Sequence, residues 1–461
     1  VKALSLENSA IIMAISLMVY ASPLVVLQAV MAGEILLPAQ GVKFIVAIIF
    51  LVASLANILI HKPNLQRLAM MQLPIVYFVY GFFTIVVFSS GAVGSSNAIM
   101  AFFYNYGLLL FVLPYYWIAY LKPSNTPLMS IRWLLILVAF IMFADLYGMA
   151  EFFQNNYFMP SMAQDILRDG DYIKFDHIDG LIRVSSLFKS PLEFGIINVF
   201  ISGFLIAWFW STQKKLFYGL LFLLSSGAVF STVSRTAILM YACNILLLTC
   251  FYVLGRQKKF AISKRSFFFW LILLCIVALG MLLVDVEKIF SVSTNPTNLQ
   301  IRLNNWMDLI SGIGANPAAL LFGLGVVQNG AYGEYHNVVI DNLYIGAVMT
   351  GGILGLIMFL ALYGFAFLDA WKRVNTMGEG SKVAGFSFLS FYVVFLIGGL
   401  TENLMHLMFY PFSILLLLRL VPQKRSDGGL SLGLGCEYEP DVSGSMRQLS
   451  ARTPGFERKV F

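Results

Sequence analysis

The hydrophobic positions fall into long, nearly unbroken runs separated by short polar breaks. A helix needs about 20 mostly apolar residues to cross a bilayer. Twelve runs satisfy that: 9–32, 41–60, 69–90, 98–120, 131–152, 191–211, 216–233, 236–255, 266–284, 338–370, 382–400 and 403–421. The tenth is long enough to be tilted or to begin with a short re-entrant piece. The pattern predicts an all-α polytopic membrane protein with about twelve transmembrane helices. The first run serves as a signal anchor, so no cleaved signal peptide is required.

Charge gives the helices a direction. With the N-terminus in the cytoplasm, one set of short loops holds Lys62, Arg67, Lys122, Arg132, Lys214, Lys215, Arg256, Lys258, Lys259, Lys264, Arg265, Lys372, Arg373 and Lys382. The opposite side receives Lys43, Arg168, Lys174, Arg183, Lys189, Arg235, Lys288 and Arg302. The positive-inside bias therefore places both termini of this inner-membrane-type protein in the cytoplasm. Two outer segments, about 153–190 and 285–337, are much longer than their neighbours. The first carries Asp165, Asp169, Asp171, Asp176 and Asp179. Loops of this length usually carry function. Residues 1–422 form the transmembrane domain. The Gly- and Ser-rich stretch 423–461 reads as a mostly disordered cytoplasmic tail.

Composition agrees with this division. Hydrophobic residues make up 59% of the chain and charged residues 11%, against about 25% in soluble domains. The net charge of +7 is spread over loops and does not imply nucleic acid. Cys243, Cys250 and Cys275 lie in apolar runs and Cys436 in the tail, with no CxxC pair. They read as small apolar residues rather than as a disulfide or metal framework.

The chemistry-bearing residues gather on the outer side. Arg183 opens RVSSLFKSPLEFG, with Lys189 six residues on and Ser190-Pro191 capping the sixth span. Two cations beside a helix start form an anion site, unless Arg183 pairs with the aspartates of its own loop. Arg235 sits in the tight turn STVSRTA between two spans, either lining a polar cavity or reaching to the headgroups. Arg302, in NLQIRLNNWMDLISGIG, lies on an amphipathic helix at the interface, facing a cleft with Asn304 and Asn305 or anchoring that helix. His336 stands before the tenth span, with Glu334, Asp341 and Asn342 close by in the chain. A His there suits proton transfer near neutral pH, although a lone His is more often structural. Glu402 and His406 lie between the last two spans.

Arg forks hold phosphate oxygens bidentately and keep their charge. A nearby His can take a proton from a hydroxyl. No DxD, HExxH, CxxC or Walker A pattern occurs in these loops. The residues thus permit a metal-free transfer from a lipid diphosphate without a further cofactor.

The segments SRTA (234–237), IRLNNW (301–306), LLFGLGV (320–326) and YHNVVIDNLYIGAVMTGGILGL (335–356), in this order on this topology, resemble the O-antigen ligase and polymerase superfamily. RVSSLFKSPLEFG resembles the arginine segment that precedes them. The likeness spans roughly 180–400. It implies a fold like that of GT-C lipid-linked glycosyltransferases. Arg183, Arg235 and Arg302 would hold the diphosphate of an undecaprenyl-linked glycan, and His336 would act as base. Lys189, Asp341, Asn342, Glu402 and His406 would support them. The implied partners are the lipid-linked glycan, an acceptor glycan or lipid A core, membrane lipid and other polysaccharide-assembly proteins. A polymerase of O-antigen or exopolysaccharide repeats is favoured by the long acidic segment, with a ligase as the alternative. A flippase for lipid-linked sugars is the rival from another class. Asp145 and Glu151 in the fifth span are its best support, because transporters carry polar groups at membrane depth.

Overall fold

The computed structural model describes residues 21–36, 72–85, 131–169, 176–178, 180–211, 214–256, 297–325, 342–377, 379–402, 404, 407 and 409–420, with single helical positions at 42, 45, 48, 52 and 102. The expected span 266–284 and tail 423–461 lie outside the described residues. The helices belong to the unit Val1–Lys424.

In chain order they are α1 (Ala21–Ala32), α2 (Gln72–Ile85), α3 (Ile131–Gln154), α4 (Ser161–Asp169), α5 (Pro191–Ser211), α6 (Lys215–Ser231), α7 (Arg235–Arg256), α8 (Thr297–Gly314), α9 (Pro317–Phe322), α10 (Leu343–Asn375), α11 (Glu379–Gly398) and α12 (Phe409–Leu420). Among the described residues, Pro191–Ser211, Arg235–Tyr252 and Leu343–Asn375 are long and apolar enough to cross a membrane. Large apolar side chains such as Leu216, Leu220, Leu223, Phe230, Phe143 and Ile357 point outward. Water would penalise that surface, whereas lipid accepts it. The chain is a helical membrane protein.

α5 is the hub. It packs against α6, α7 and α11. Small residues let the backbones approach: a Cβ on Gly195 would fall 2.5 Å from Ala237 Cβ, and one on Gly203 would meet the Asn244 amide. Two buried asparagines tie the helices at membrane depth. Asn198 Nδ2 donates to Phe194 O, and its Oδ1 accepts from Ser225 Oγ on α6 at 2.9 Å. Asn244 Nδ2 on α7 donates to Val199 O at 2.8 Å, and its Oδ1 accepts from Ser390 Oγ on α11. Such interhelical bonds contribute about 0.6 kcal/mol each in lipid, so they set register more than stability.

Two features depart from plain helix and loop. The segment 153–190 folds into α4 and a short antiparallel hairpin, β1 (Asp176–Ile178) and β2 (Leu181–Arg183). α4 lays Ala163 and Leu167 against Val25, Val26 and Ala29 of α1. The second departure is a break in α10 at Gly352, where φ is +64°. It frees carbonyls that lipid cannot satisfy. The LFGLG stretch (321–325) fills the gap: Leu324 N–H donates to Met349 O at 2.9 Å and Gly325 N–H to Thr350 O at 3.2 Å. Tyr80 Oη on α2 donates to Gly351 O at 2.6 Å. Both glycines are required, because a Cβ on Gly323 would lie 2.5 Å from Thr350 O and one on Gly352 2.3 Å from Leu321 O.

Candidate functional site

The arginine segment is fixed from below and from both sides. The side chain of Asn155, a residue at φ +49°, holds the hairpin at its turn: its Nδ2 donates to Gly180 O, and its Oδ1 accepts from Ile182 N–H, both at 2.9 Å. Tyr157 Oη donates to Arg183 O at 3.2 Å. Arg183 is half-buried and stands opposite Asp176 in the hairpin register. Beyond it, Ser186 takes φ +50° and its Oγ donates to Ala144 O on α3 at 2.8 Å. Gly148 leaves room for this, since a Cβ there would lie 2.8 Å from Val184 and 3.2 Å from Ser186.

The cap expected at Ser190 is present. Ser190 Oγ accepts the Glu193 N–H at 3.2 Å, with Pro191 opening α5. Glu193, which sequence reasoning passed over, is 2% exposed and accepts from Lys189 N–H at 3.1 Å, Ser22 Oγ at 3.3 Å and Tyr410 Oη at 2.7 Å. These N–H groups are thus used internally, and an anion here would rest on side-chain cations. The S-x-x-E spacing of 190–193 is a capping-box signature and was the available signal. Lys189 itself is half-buried.

The Arg235 turn lies against this segment. Val184 N–H donates to Ser231 O at 3.2 Å, so the strand carrying Arg183 runs into the turn 231–235. Thr232 Oγ1 donates to Val229 O at 2.7 Å and accepts Ser234 N–H. Val233 is held at φ +49°. A β-branched residue in that region costs on the order of 1–3 kcal/mol, and such strain concentrates at functional sites. The result is to bring Arg235, exposed, to the first position of α7. A cation at a helix N-terminus opposes the helix dipole, unless an anion sits between them.

A third element completes the face. Thr236 Oγ1 lies 2.8 Å from Thr401 Oγ1, joining the Arg235 turn to the turn after α11 that carries half-buried Glu402. Asn342 caps α10: its Oδ1 accepts from Tyr344 and Ile345 N–H, and its Nδ2 donates to Leu400 O at 3.0 Å. Leu343 N–H donates to Gly399 O at 2.8 Å. The Asn342 side chain thus ties the head of α10 to the turn after α11. Contacts run unbroken from β2 through the Arg235 turn and the 399–402 turn to the start of α10.

Arg302 lies on α8, whose Leu309 and Ile313 pack with Met349, Ile345 and Val348 of α10; its side chain lies outside the described residues. His336, Glu334, Asp341 and His406 also lie outside them. Among the described residues, no cluster of His, Cys, Asp and Glu has the makings of a metal site.

Residues 220–360 match the family model Wzy_C, described as O-Antigen ligase. The match includes Arg235, Arg302 and His336 and begins downstream of Arg183. The resemblance to the O-antigen ligase and polymerase superfamily holds over this stretch. No curated protein matches the chain.

Proposed function

Taking as premise a helical membrane protein whose residues 220–360 match the O-antigen ligase family model, we propose that it transfers glycan from an undecaprenyl-diphosphate carrier to a sugar hydroxyl at the periplasmic face of the inner membrane. The supporting observation is the contact of the Arg183 strand with the Arg235 turn through Val184 and Ser231. Two guanidinium-bearing segments distant in sequence converge beside a helix N-terminus, which suits a diphosphate.

In this reading Arg183, Arg235 and Arg302 hold the diphosphate, with Lys189 at the rim. The acceptor hydroxyl oxygen attacks the anomeric carbon as the bond from that carbon to the diphosphate oxygen breaks. The diphosphate leaves with the bonding electrons, stabilised by the guanidinium groups. His336 takes the hydroxyl proton, oriented by Asp341. One displacement inverts the anomeric centre, and the step draws on no metal. Asn342 and Glu402 support the acceptor side of the site, and His406 is a further supporting candidate.

The product is an O-antigen or exopolysaccharide polymer; the length and acidity of 153–190 favour a second lipid-linked unit as acceptor. The printed description of the family favours a second reading, ligation of finished glycan onto lipid A core.

Single replacements Arg235→Ala, Arg302→Ala and His336→Ala test the proposal by surface glycan analysis. Loss of surface polymer with lipid-linked material accumulating supports it. Normal glycan in all three variants sinks it. Single repeat units left on the acceptor mark a polymerase, whereas long chains left on the carrier mark a ligase.

A further inference from the structure

Three donors from three parts of the chain converge on the buried carboxylate of Glu193, in the first turn of α5. Tyr410 Oη, in the first turn of α12, donates to Oε1 at 2.7 Å. Lys189 N–H and Ser22 Oγ of α1 donate to Oε2 at 3.1 and 3.3 Å. Ser22 and Tyr410 are buried as well. A capping box asks for less than this: its acid returns only to the N–H of the cap residue. Here the side chain reaches one residue further back, to Lys189, and is gripped from two other helices.

The bond to Lys189 closes a ring. Val184 N–H, in the arginine segment, reaches Ser231 O in the turn that leads to Arg235. Thr236, next to Arg235, meets Thr401 at 2.8 Å. The chain then runs from Thr401 to the head of α12, where Tyr410 returns through Glu193 to Lys189. Two routes therefore fix the segment 183–189 relative to the Arg235 turn. One is direct, through Val184; the other goes round through Thr401 and Tyr410.

We propose that Tyr410, acting through Glu193, is a positioning residue for the diphosphate end of the site, fixing where Lys189 stands relative to Arg235. The inference rests on the glycosyl-transfer reading. Displacing the phenol leaves a buried oxygen unsatisfied, which costs more than the bond contributes. The head of α12 and the backbone of Lys189 thus keep one spacing. Both Glu193 and Tyr410 lie outside the family match at 220–360.

Tyr410→Phe keeps the ring and removes the donor. The test compares full-length wild type, Tyr410→Phe, Lys189→Ala, the double variant and Arg235→Ala. Each is assayed for kcat/KM with lipid-linked glycan extracted from the producing membranes, and for melting temperature. Tyr410→Phe is expected to lose about fivefold in kcat/KM, the equivalent of one hydrogen bond. In the Lys189→Ala background it loses nothing further, because no ammonium remains to be misplaced. Its effect on melting temperature is the same in both backgrounds. Equal losses of kcat/KM in both backgrounds mark a purely structural Tyr410 and overturn the proposal. So does unchanged kcat/KM in Tyr410→Phe or Lys189→Ala while Arg235→Ala is inactive, a result that spares the glycosyl-transfer reading. Full activity of Arg235→Ala removes that reading and this inference together. If Tyr410→Phe does not accumulate, Ser22→Ala, which removes another donor to the same carboxylate, replaces it with the same expectations.

Discussion

Thr236 Oγ1 and Thr401 Oγ1 lie 2.8 Å apart, although 165 residues separate them in the chain. Thr236 follows Arg235 and Thr401 precedes Glu402, so one hydroxyl pair fastens the arginine turn to the turn beside the start of α10. A partly buried hydroxyl–hydroxyl bond contributes about 1 kcal/mol. Thr401→Val keeps shape and removes the bond. The expected result is a several-fold loss of polymer formation with normal accumulation in the membrane, measured by gel analysis of surface glycan. Wild-type output from Thr401→Val would show that the two turns hold their places independently.

Arg235 is expected to tolerate Lys poorly. A bidentate fork is lost although the charge stays. If a diphosphate is held there, Arg235→Lys lowers turnover by about 10-fold or more, in line with a charge-assisted bond of about 1.5–3 kcal/mol. Assay of purified protein with lipid-linked donor checks it. Equal activity of Lys and Arg would reduce the site to a point charge.

Val233 holds φ +49°. Val233→Gly relieves local strain on the order of 1–3 kcal/mol, so the melting temperature should rise. Activity should fall, because the turn no longer dictates where Arg235 stands. A rise in both would mean that the strain has no part in positioning.

Gly352 cannot accept a side chain: its φ is +64° and a Cβ would lie 2.3 Å from Leu321 O. Gly352→Ala should prevent stable accumulation or displace the LFGLG stretch, seen as new protease cleavage near 320–330. Tyr80→Phe removes the donor to Gly351 O and should cost about 1–3 kcal/mol, read as a lower melting temperature. An unchanged melting temperature in Tyr80→Phe would show that another donor replaces it.

Glu193 joins Ser22, Lys189 N–H and Tyr410 in one buried cluster. Glu193→Gln keeps the volume but exchanges acceptor oxygen for a donor nitrogen. The expected loss is about 1–3 kcal/mol, visible as a lower melting temperature and reduced membrane yield.

Much of this was legible before any coordinates, for physical reasons that differ by residue. The spans were readable because lipid demands long apolar runs; 191–211 coincides with α5, and 131–152 falls within α3. The cap at Ser190 was readable because Ser-Pro is a local signal. The approach of Val184 to Ser231 was not, since a backbone bond between distant segments leaves no mark in either. The hairpin at 176–183 escaped because three-residue strands have no measurable alternation; Gly180 at φ +82° was its one hint. Glu193 is signalled by the S-x-x-E spacing as part of a cap, but its partners Ser22 and Tyr410 lie far away in sequence. The break at Gly352 was foreshadowed only by the length of the tenth run and by the Gly-Gly pair.

The seam between Gly323 and Gly352 has a consequence for how such a protein can diversify. It fastens the chain at Gly325 to Thr350, and Asn342 fastens it again at the head of α10, about 12 Å away along that helix. Positions 325 and 342 are therefore held at two fixed points of one helix. Doubling the length of chain between two such anchors costs only about 0.6 kcal/mol in closure entropy. A change of length there can thus leave the Arg183 and Arg235 segments as they are.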